Sequence, residues 1–269
     1  MKRTILAGFL VVATGIACLM AEPQAQQKGQ KGQAQQAPSG QPKGPAPKSQ
    51  GEAQALMALQ SAQGNPDATI KACEDLLTKY ADTDFKEIAL YMEAMAYQQK
   101  GDSDKAQIFA ERVLQVNPND FQANLMIGEI LAQHTRENDL DREEKLTRAD
   151  KLLNSVIEQL KTAPKPNPQL PDAQWEEAKK YTTAEAHNDL GLIGLTRKKY
   201  DVAISEFKTA SDLDPQPAYQ VRLASAYQQS GKNDEAIAIC DKLLADASLH
   251  PQIRQVAQAV KAAATQGKK

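Results

Sequence analysis

Small and apolar residues recur at fixed intervals along most of the chain between Glu52 and Ser248. Three alanines each follow a small residue by twelve positions and precede an apolar residue by four. The alanines are Ala106, Ala203 and Ala236, the small residues are Ala94, Gly191 and Ala224, and the apolar residues are Ala110, Phe207 and Cys240. Each window predicts a pair of amphipathic helices, in which the small residues let the two helices approach closely.

These intervals resemble those of the tetratricopeptide repeat (TPR). That repeat is a helix-turn-helix of about 34 residues with the pattern Trp-x2-Leu-Gly-x2-Tyr…Ala-x3-Phe…Pro. Two copies share similar turn segments, Tyr97–Gly101 and Tyr227–Gly231. The fullest copy begins at Ala184 and carries Leu190, Gly191, Tyr200, Ala203, Phe207, Ala210 and Pro215.

The resemblance implies an all-α fold over residues 51–265, with TPR helix-turn-helix repeats stacked as a right-handed α-solenoid. It implies about five repeats and a C-terminal capping helix over Leu249–Ala264. Two copies are degenerate, because Thr69 replaces the alanine of the first and Ala149 comes nine positions late in the third. The extra residues lie within His134–Lys145, which predicts an enlarged, charge-rich turn.

A proline-rich segment precedes the fourth copy. Prolines between Pro164 and Pro171 exclude helix there, and Asp172 is a suitable N-cap. Apolar residues at helical spacing from Trp175 onward predict that the first helix of this copy runs from near Asp172 to about Lys198. Trp175 either covers the widened joint between the third and fourth copies or acts as an anchor for a partner.

The first residues predict export. A charged start followed by a short apolar run predicts a signal peptide over residues 1–21, with cleavage after Ala21. Gly15-Ile16-Ala17-Cys18 also resembles a lipoprotein processing box, so lipidation of Cys18 is the alternative. Residues 22–50 are rich in Gln, Gly, Pro and Lys and predict a disordered linker. The expected location is periplasmic or secreted, or alternatively membrane-anchored through that lipid.

Composition and motifs argue against several classes of function. The net charge is −2, so no strong basic field would recruit nucleic acid. The three histidines lie far apart in sequence, and neither a phosphate-binding loop nor a nucleophile elbow occurs. His187 stands where the repeat pattern has an aromatic, which favours packing over metal binding. We therefore expect no catalytic residues, no metal, no cofactor and no small-molecule substrate.

Two cysteines have the same position within their repeats. Cys73 and Cys240 both stand four residues after the alanine position, where the fourth copy has Phe207. This predicts buried side chains rather than a disulfide. The two residues also belong to the first and last repeats, too far apart for a disulfide bond.

The resemblance implies a concave ligand groove lined by the first helix of each repeat, which we call helix A. The second helix is helix B. By register, the partner-binding residues are Tyr91, Met95, Gln98, Gln99, Glu129, Asn188, Gln228 and Gln229, with Gln122, Leu125, Glu185, Leu192, Val221 and Ser225 beside them. This lining is near neutral and rich in amides. The implied function is a non-enzymatic scaffold that binds a protein or peptide, or alternatively a lipid-anchored structural subunit of a cell-envelope assembly.

Overall fold

A computed structural model describes residues 45–267 of the protein, and these fold as helices joined by turns. The signal peptide, Cys18 and most of the linker lie outside the described residues. The helices are α1 (Gln50–Ser61), α2 (Pro66–Lys79), α3 (Lys86–Gln99), α4 (Ser103–Val116), α5 (Phe121–His134), α6 (Arg142–Thr162), α7 (Asp172–Thr196), α8 (Tyr200–Leu213), α9 (Pro217–Gln229), α10 (Asn233–Ala245) and α11 (Pro251–Gln266). None of these helices is long and apolar enough to span a membrane.

The described residues divide into two compact units, 45–109 and 110–267, which we call unit 1 and unit 2. Consecutive helices pair as helices A and B, so that α5 packs against α6, α7 against α8 and α9 against α10. The helices A also contact one another, since α5 packs on α7. This arrangement confirms the all-α fold and the succession of TPR helix pairs that the sequence predicted.

N-cap side chains and glycines define several helix ends. Asn65 and Asp120 accept hydrogen bonds from backbone amides in the first turns of α2 and α5, which satisfies donors that the helix leaves open. Gly101 and Gly231 end the two similar turn segments with positive φ angles of 75° and 81°. Glycine adopts this conformation without the strain that a side chain would cause, so the two turns reverse the chain in the same way.

A glycine in helix A meets a large side chain of helix B in unit 2. A Cβ atom added to Gly191 would lie 2.6 Å from the ring of Phe207. In the preceding repeat, a Cβ atom on Gly128 would lie 2.7 Å from Leu153. Leu153 follows Ala149 by four positions, as Phe207 follows Ala203. The structure thus confirms that Ala149 is the displaced alanine of the third copy.

The insertions also take the predicted places. A turn over residues 135–141 separates α5 from α6, and α6 is 21 residues long. Arg197, at the C-terminus of α7, pairs with Glu143 at 2.6 Å and with Asp150 at 3.1 Å on α6. Lys198 reaches Glu137 in the enlarged turn. One ion pair therefore links the turn to the end of α7, and two more link α6 to it.

Helix α7 runs from Asp172 to Thr196, close to the predicted bounds. Its N-cap is Pro171, however, and no side chain caps it. Asp172 is the first helical residue, and its carboxylate pairs with Lys165 Nζ at 2.6 Å. The prediction that Asp172 is the N-cap was therefore wrong by one residue, and its carboxylate pairs with a lysine instead of capping the helix.

The end of the predicted linker belongs to the fold. Ser49 is the N-cap of α1 and accepts a hydrogen bond from Glu52 N. The buried carboxylate of Glu52 accepts hydrogen bonds from Lys48 N at 2.5 Å and from Thr83 Oγ1 at 2.6 Å. The linker prediction was therefore wrong for residues 48–50. Their Gln- and Lys-rich composition suggested disorder, but Glu52 bonds Lys48 and Ser49, and Lys48 also pairs with Asp82 and Asp84.

Both predicted core cysteines are free and completely buried. Cys73 lies in the core of unit 1 with Leu59 and Phe85, and Cys240 lies in the core of unit 2 with Ala224 and Ala257. Burial raises the pKa of both thiols, because the thiolate would lose its hydration. The expectation of buried thiols rather than a disulfide is confirmed for these two residues.

Candidate protein-binding face

Helix α3 presents the predicted binding residues of unit 1. Tyr91, Met95 and Gln98 are partly buried, and Gln99 is exposed. They lie on a different side of the helix from Leu90, Ala94 and Tyr97, which are buried. An extended segment could therefore contact a strip of α3 that mixes an aromatic ring, a thioether and two amides.

In unit 2, the predicted residue Asn188 is buried rather than open to a partner. Only 4% of it is exposed. Its Oδ1 accepts a hydrogen bond from Arg222 Nη1 of α9 at 2.5 Å, and its Nδ2 donates to Asp189 Oδ1 at 3.1 Å. Asn188 therefore links two neighbouring helices A. A partner would meet it only if the Arg222 side chain moved.

Acidic side chains surround this link. Asp189 is 2% exposed, and its pKa is raised well above its usual value, first by burial and next by the nearby charge of Glu129 on α5. The pKa of Glu185 is raised to about 8, first by burial, while a hydrogen bond with Tyr181 acts in the opposite direction. Burial also raises the pKa of Tyr219, with Glu185 as the next cause. These shifts arise because the charged forms are poorly solvated and close to one another.

The sequence predicted a near-neutral, amide-rich lining, and the structure adds charged groups to it. Asp189 and Arg222 each directly follow a predicted lining residue, Asn188 and Val221. Val221 itself is buried in the core of unit 2. The repeat pattern predicts lining residues on only one side of each helix A and therefore does not include Asp189 and Arg222. Their position depends on how three neighbouring helices A pack together.

The C-terminal part of α9 carries two of the predicted partner-binding residues. Gln228 is partly buried and Gln229 is exposed. Gln229 Nε2 donates to Ser225 Oγ at 3.1 Å, one turn earlier on the same helix. These residues can offer donors and acceptors to a partner with a small rearrangement.

Trp175 packs between elements of unit 2. It is 5% exposed, and its indole Nε1 donates to the carbonyl oxygen of Ala163 at 3.2 Å. Ala163 is the C-cap of α6, the second helix of the third copy. This geometry supports the alternative in which Trp175 covers the widened joint, and it leaves little of the ring for a partner.

His187 packs against helix B of its own repeat. Its Nδ1 lies 2.7 Å from Glu206 Oε2 of α8, and the side chain is mostly buried. His187 therefore packs within the α7–α8 helix pair, as the repeat pattern suggested. Among residues 45–267, no group of three or more His, Cys, Asp or Glu side chains could hold a metal ion.

Known proteins resemble the chain at the level of repeat and fold. Two family models described as tetratricopeptide repeat match residues 88–120 and 188–252. A thermophilic TPR protein from Thermus thermophilus is 22% identical, with a TM-score of 0.52, over 78% of this chain and 98% of its own. MamA from Desulfovibrio magneticus is 17% identical, with a TM-score of 0.54, over 78% and 97%. A comparison with curated proteins gives no match.

The structure and the comparisons agree on the repeat. Both family-model matches fall on helix pairs, α3 with α4 and α7 through α10. At the identities above, the two solved structures support the fold alone. TPR proteins are generally non-enzymatic scaffolds. The structure and the two family models therefore agree that the chain contains tetratricopeptide repeats, and such repeats indicate a scaffold for protein–protein interaction.

Proposed function

We propose that the protein is an exported, non-enzymatic scaffold that binds a protein or peptide along the helix A face of its repeats. The observation that carries the proposal is the contrast between the two sides of α3. One side is buried in the core of unit 1, and the other leaves Tyr91, Met95 and Gln98 partly open beside the exposed Gln99. A tyrosine ring among adaptable amides is a combination common at recognition surfaces.

The polar character of this face favours a segment that offers its own backbone or amide groups. Gln98, Gln99, Gln228 and Gln229 can each donate and accept hydrogen bonds. Such contacts suit an extended or helical peptide better than a nucleic acid, whose phosphates need Lys or Arg. We expect neither nucleic acid nor a small-molecule substrate as the ligand.

Capture from a cell-envelope extract tests the proposal. Full-length protein would be compared with a Gln98→Ala/Gln228→Ala variant, and with a control variant that carries Lys208→Ala on α8, a helix B. The helix A variant should bind a specific partner more weakly, with a loss of about 1–3 kcal/mol in binding free energy, while its circular dichroism spectrum is unchanged. Equal capture by all three proteins would reject the helix A face as the binding surface.

Export rests on the sequence of the first 21 residues. Mass spectrometry of the protein purified from its native host tests it, with a mature chain beginning at Glu22 as the expected result. A diacylglyceryl-modified Cys18 at the N-terminus would favour the second candidate, a lipid-anchored structural subunit of an envelope assembly. An intact Met1 on a protein recovered from the cytoplasm would reject both.

A further inference from the structure

Lys198 has a backbone conformation that the corresponding turns of other repeats give to glycine. It lies in the turn between α7 and α8, at the position that Gly101 and Gly231 have in their own turns. In all three turns the next residue donates its backbone N–H to a carbonyl oxygen five positions earlier, at 2.8–3.0 Å. Lys198 has a φ angle of 59°, and among residues 45–267 no other residue besides glycine has a positive φ. A side chain is strained in this conformation, whereas glycine is not.

The enlarged turn before α6 also departs from the repeat pattern, and Lys198 contacts it. Lys198 Nζ lies 2.5 Å from Glu137 Oε1. Within the turn, Asp139 N donates to Arg136 O and Arg142 N donates to Asp139 O, each at 3.2 Å. The two departures from the pattern therefore meet in one ion pair. A glycine at position 198 would relieve the strain, but it would have no side chain to pair with Glu137.

A second group of ion pairs beside the turn is better protected from solvent. Arg197 pairs with Glu143 and Asp150 of α6, and 12% of its side chain is exposed. The side chains of Lys198 and Glu137 are 61% and 59% exposed. Salt screens exposed charges more than partly buried ones. The contact between Lys198 and the turn should therefore weaken before the joint between α6 and α7 does.

We propose that the enlarged turn is a strap that Lys198 holds closed, and that this contact is the role of a lysine at a position that favours glycine. When the ion pair is formed, the turn is fixed to the end of α7, so the connection within the third repeat follows the fourth repeat. When the pair opens, residues 137–140 are free to move, while Arg197 keeps α6 and α7 together. The strap does not depend on the partner that the helix A face binds.

Backbone 15N relaxation of the full-length protein tests the strap. At low ionic strength, the amides of residues 137–140 in the wild type should have order parameters near the value of about 0.85 that is typical of rigid backbone. Lys198→Gly should lower them below about 0.6, which is typical of a flexible segment. Because this substitution also removes the strain, the melting temperature should stay the same or rise. Added salt should lower the order parameters of the wild-type turn as well.

Three further substitutions separate the ion pair from other effects. Lys198→Arg keeps the charge and should leave the turn ordered. Glu137→Ala should loosen the turn as much as Lys198→Gly does, and the double variant should loosen it no further, because both changes remove the same contact. Lys199→Ala removes the neighbouring exposed lysine and should leave the turn as in the wild type.

Order parameters that stay near about 0.85 in both Lys198→Gly and Glu137→Ala would overturn the proposal, because the turn would then be ordered without the ion pair. A wild-type turn that is already flexible at low ionic strength would overturn it too. So would equal loosening in Lys199→Ala, which would assign the effect to the local charge rather than to the contact with Glu137.

Discussion

Gly191 of α7 lies directly beneath the ring of Phe207 on α8, and a Cβ atom on this glycine would come within 2.6 Å of the ring. Both residues are buried in the fourth repeat. The space that another residue would fill at position 191 is already occupied by Phe207. The contact has the size complementarity that the repeat pattern predicts, because a small residue of helix A packs against a large residue of helix B.

Gly191→Leu should therefore be among the most damaging substitutions in unit 2. The added side chain would push Phe207 out of its position, at a cost of about 1–3 kcal/mol or more. Glu143→Leu should cost less than about 1 kcal/mol, because Glu143 is exposed and Arg197 keeps its pair with Asp150. Denaturant titration of both variants measures the difference, and equal stabilities would contradict the assigned register.

A second glycine provides a matched control. Gly51 is also helical, but a Cβ atom there would meet only the hydroxyl end of Tyr80, which can move aside. Gly51→Ala should thus be tolerated, whereas Gly191→Ala should not. Because alanine favours helix more than glycine does, Gly51→Ala should if anything gain stability. A comparable loss of stability in both variants would show that the contact with Phe207 does not determine the effect.

The register was predictable because close helix contacts constrain residue size. Ala203, Phe207 and Gly191 could be placed from their spacing alone. Gly194 could not, because the family pattern has a tyrosine at that position. In the structure, a Cβ atom on Gly194 would lie 2.9 Å from the backbone nitrogen of Ala203. Here α7 and α8 approach so closely that only glycine fits. Because this approach depends on the backbone paths of both helices, the spacing of residues in the sequence does not predict it.

The acidic cluster was not predictable for a different reason. Glu129, Asp189 and Arg222 lie on three helices that are separated by many residues in the sequence. Each looks like an ordinary surface charge when its own helix is considered alone. Their proximity follows from the stacking of neighbouring repeats, which determines which sides of α5, α7 and α9 face one another.

The two core cysteines should react only when the protein unfolds. Burial raises the pKa of the Cys73 and Cys240 thiols and also blocks reagent access. A thiol reagent should therefore modify neither residue in the native protein and both in denaturant, as measured by mass spectrometry of peptides. Exposed Ser61→Cys gives the positive control for labelling. A disulfide between Cys73 and Cys240 would contradict the structure.

The cap of α1 should contribute measurably to unit 1. Thr83→Val removes a hydrogen bond to the buried Glu52 and should destabilise unit 1 by about 1–3 kcal/mol. Ser49→Ala removes the N-cap and should cost about 1 kcal/mol. Ser61→Ala, at the exposed end of the same helix, is the control. Unchanged thermal stability of Ser49→Ala would contradict a structural role for residue 49, and unchanged stability of Thr83→Val would contradict a contribution from the hydrogen bond to Glu52.

Photocrosslinking in the native cell tests the central claim most directly, because it reports which side of the repeats meets a partner. A photoreactive residue would replace Gln98 or Gln228 on helices A, Lys208 on a helix B, or Leu140 in the enlarged turn, each in the full-length protein. The account predicts a discrete adduct with another protein from positions 98 and 228, and none from position 208 or 140. Adducts from position 140 alone would place the partner on the insertion and contradict the account.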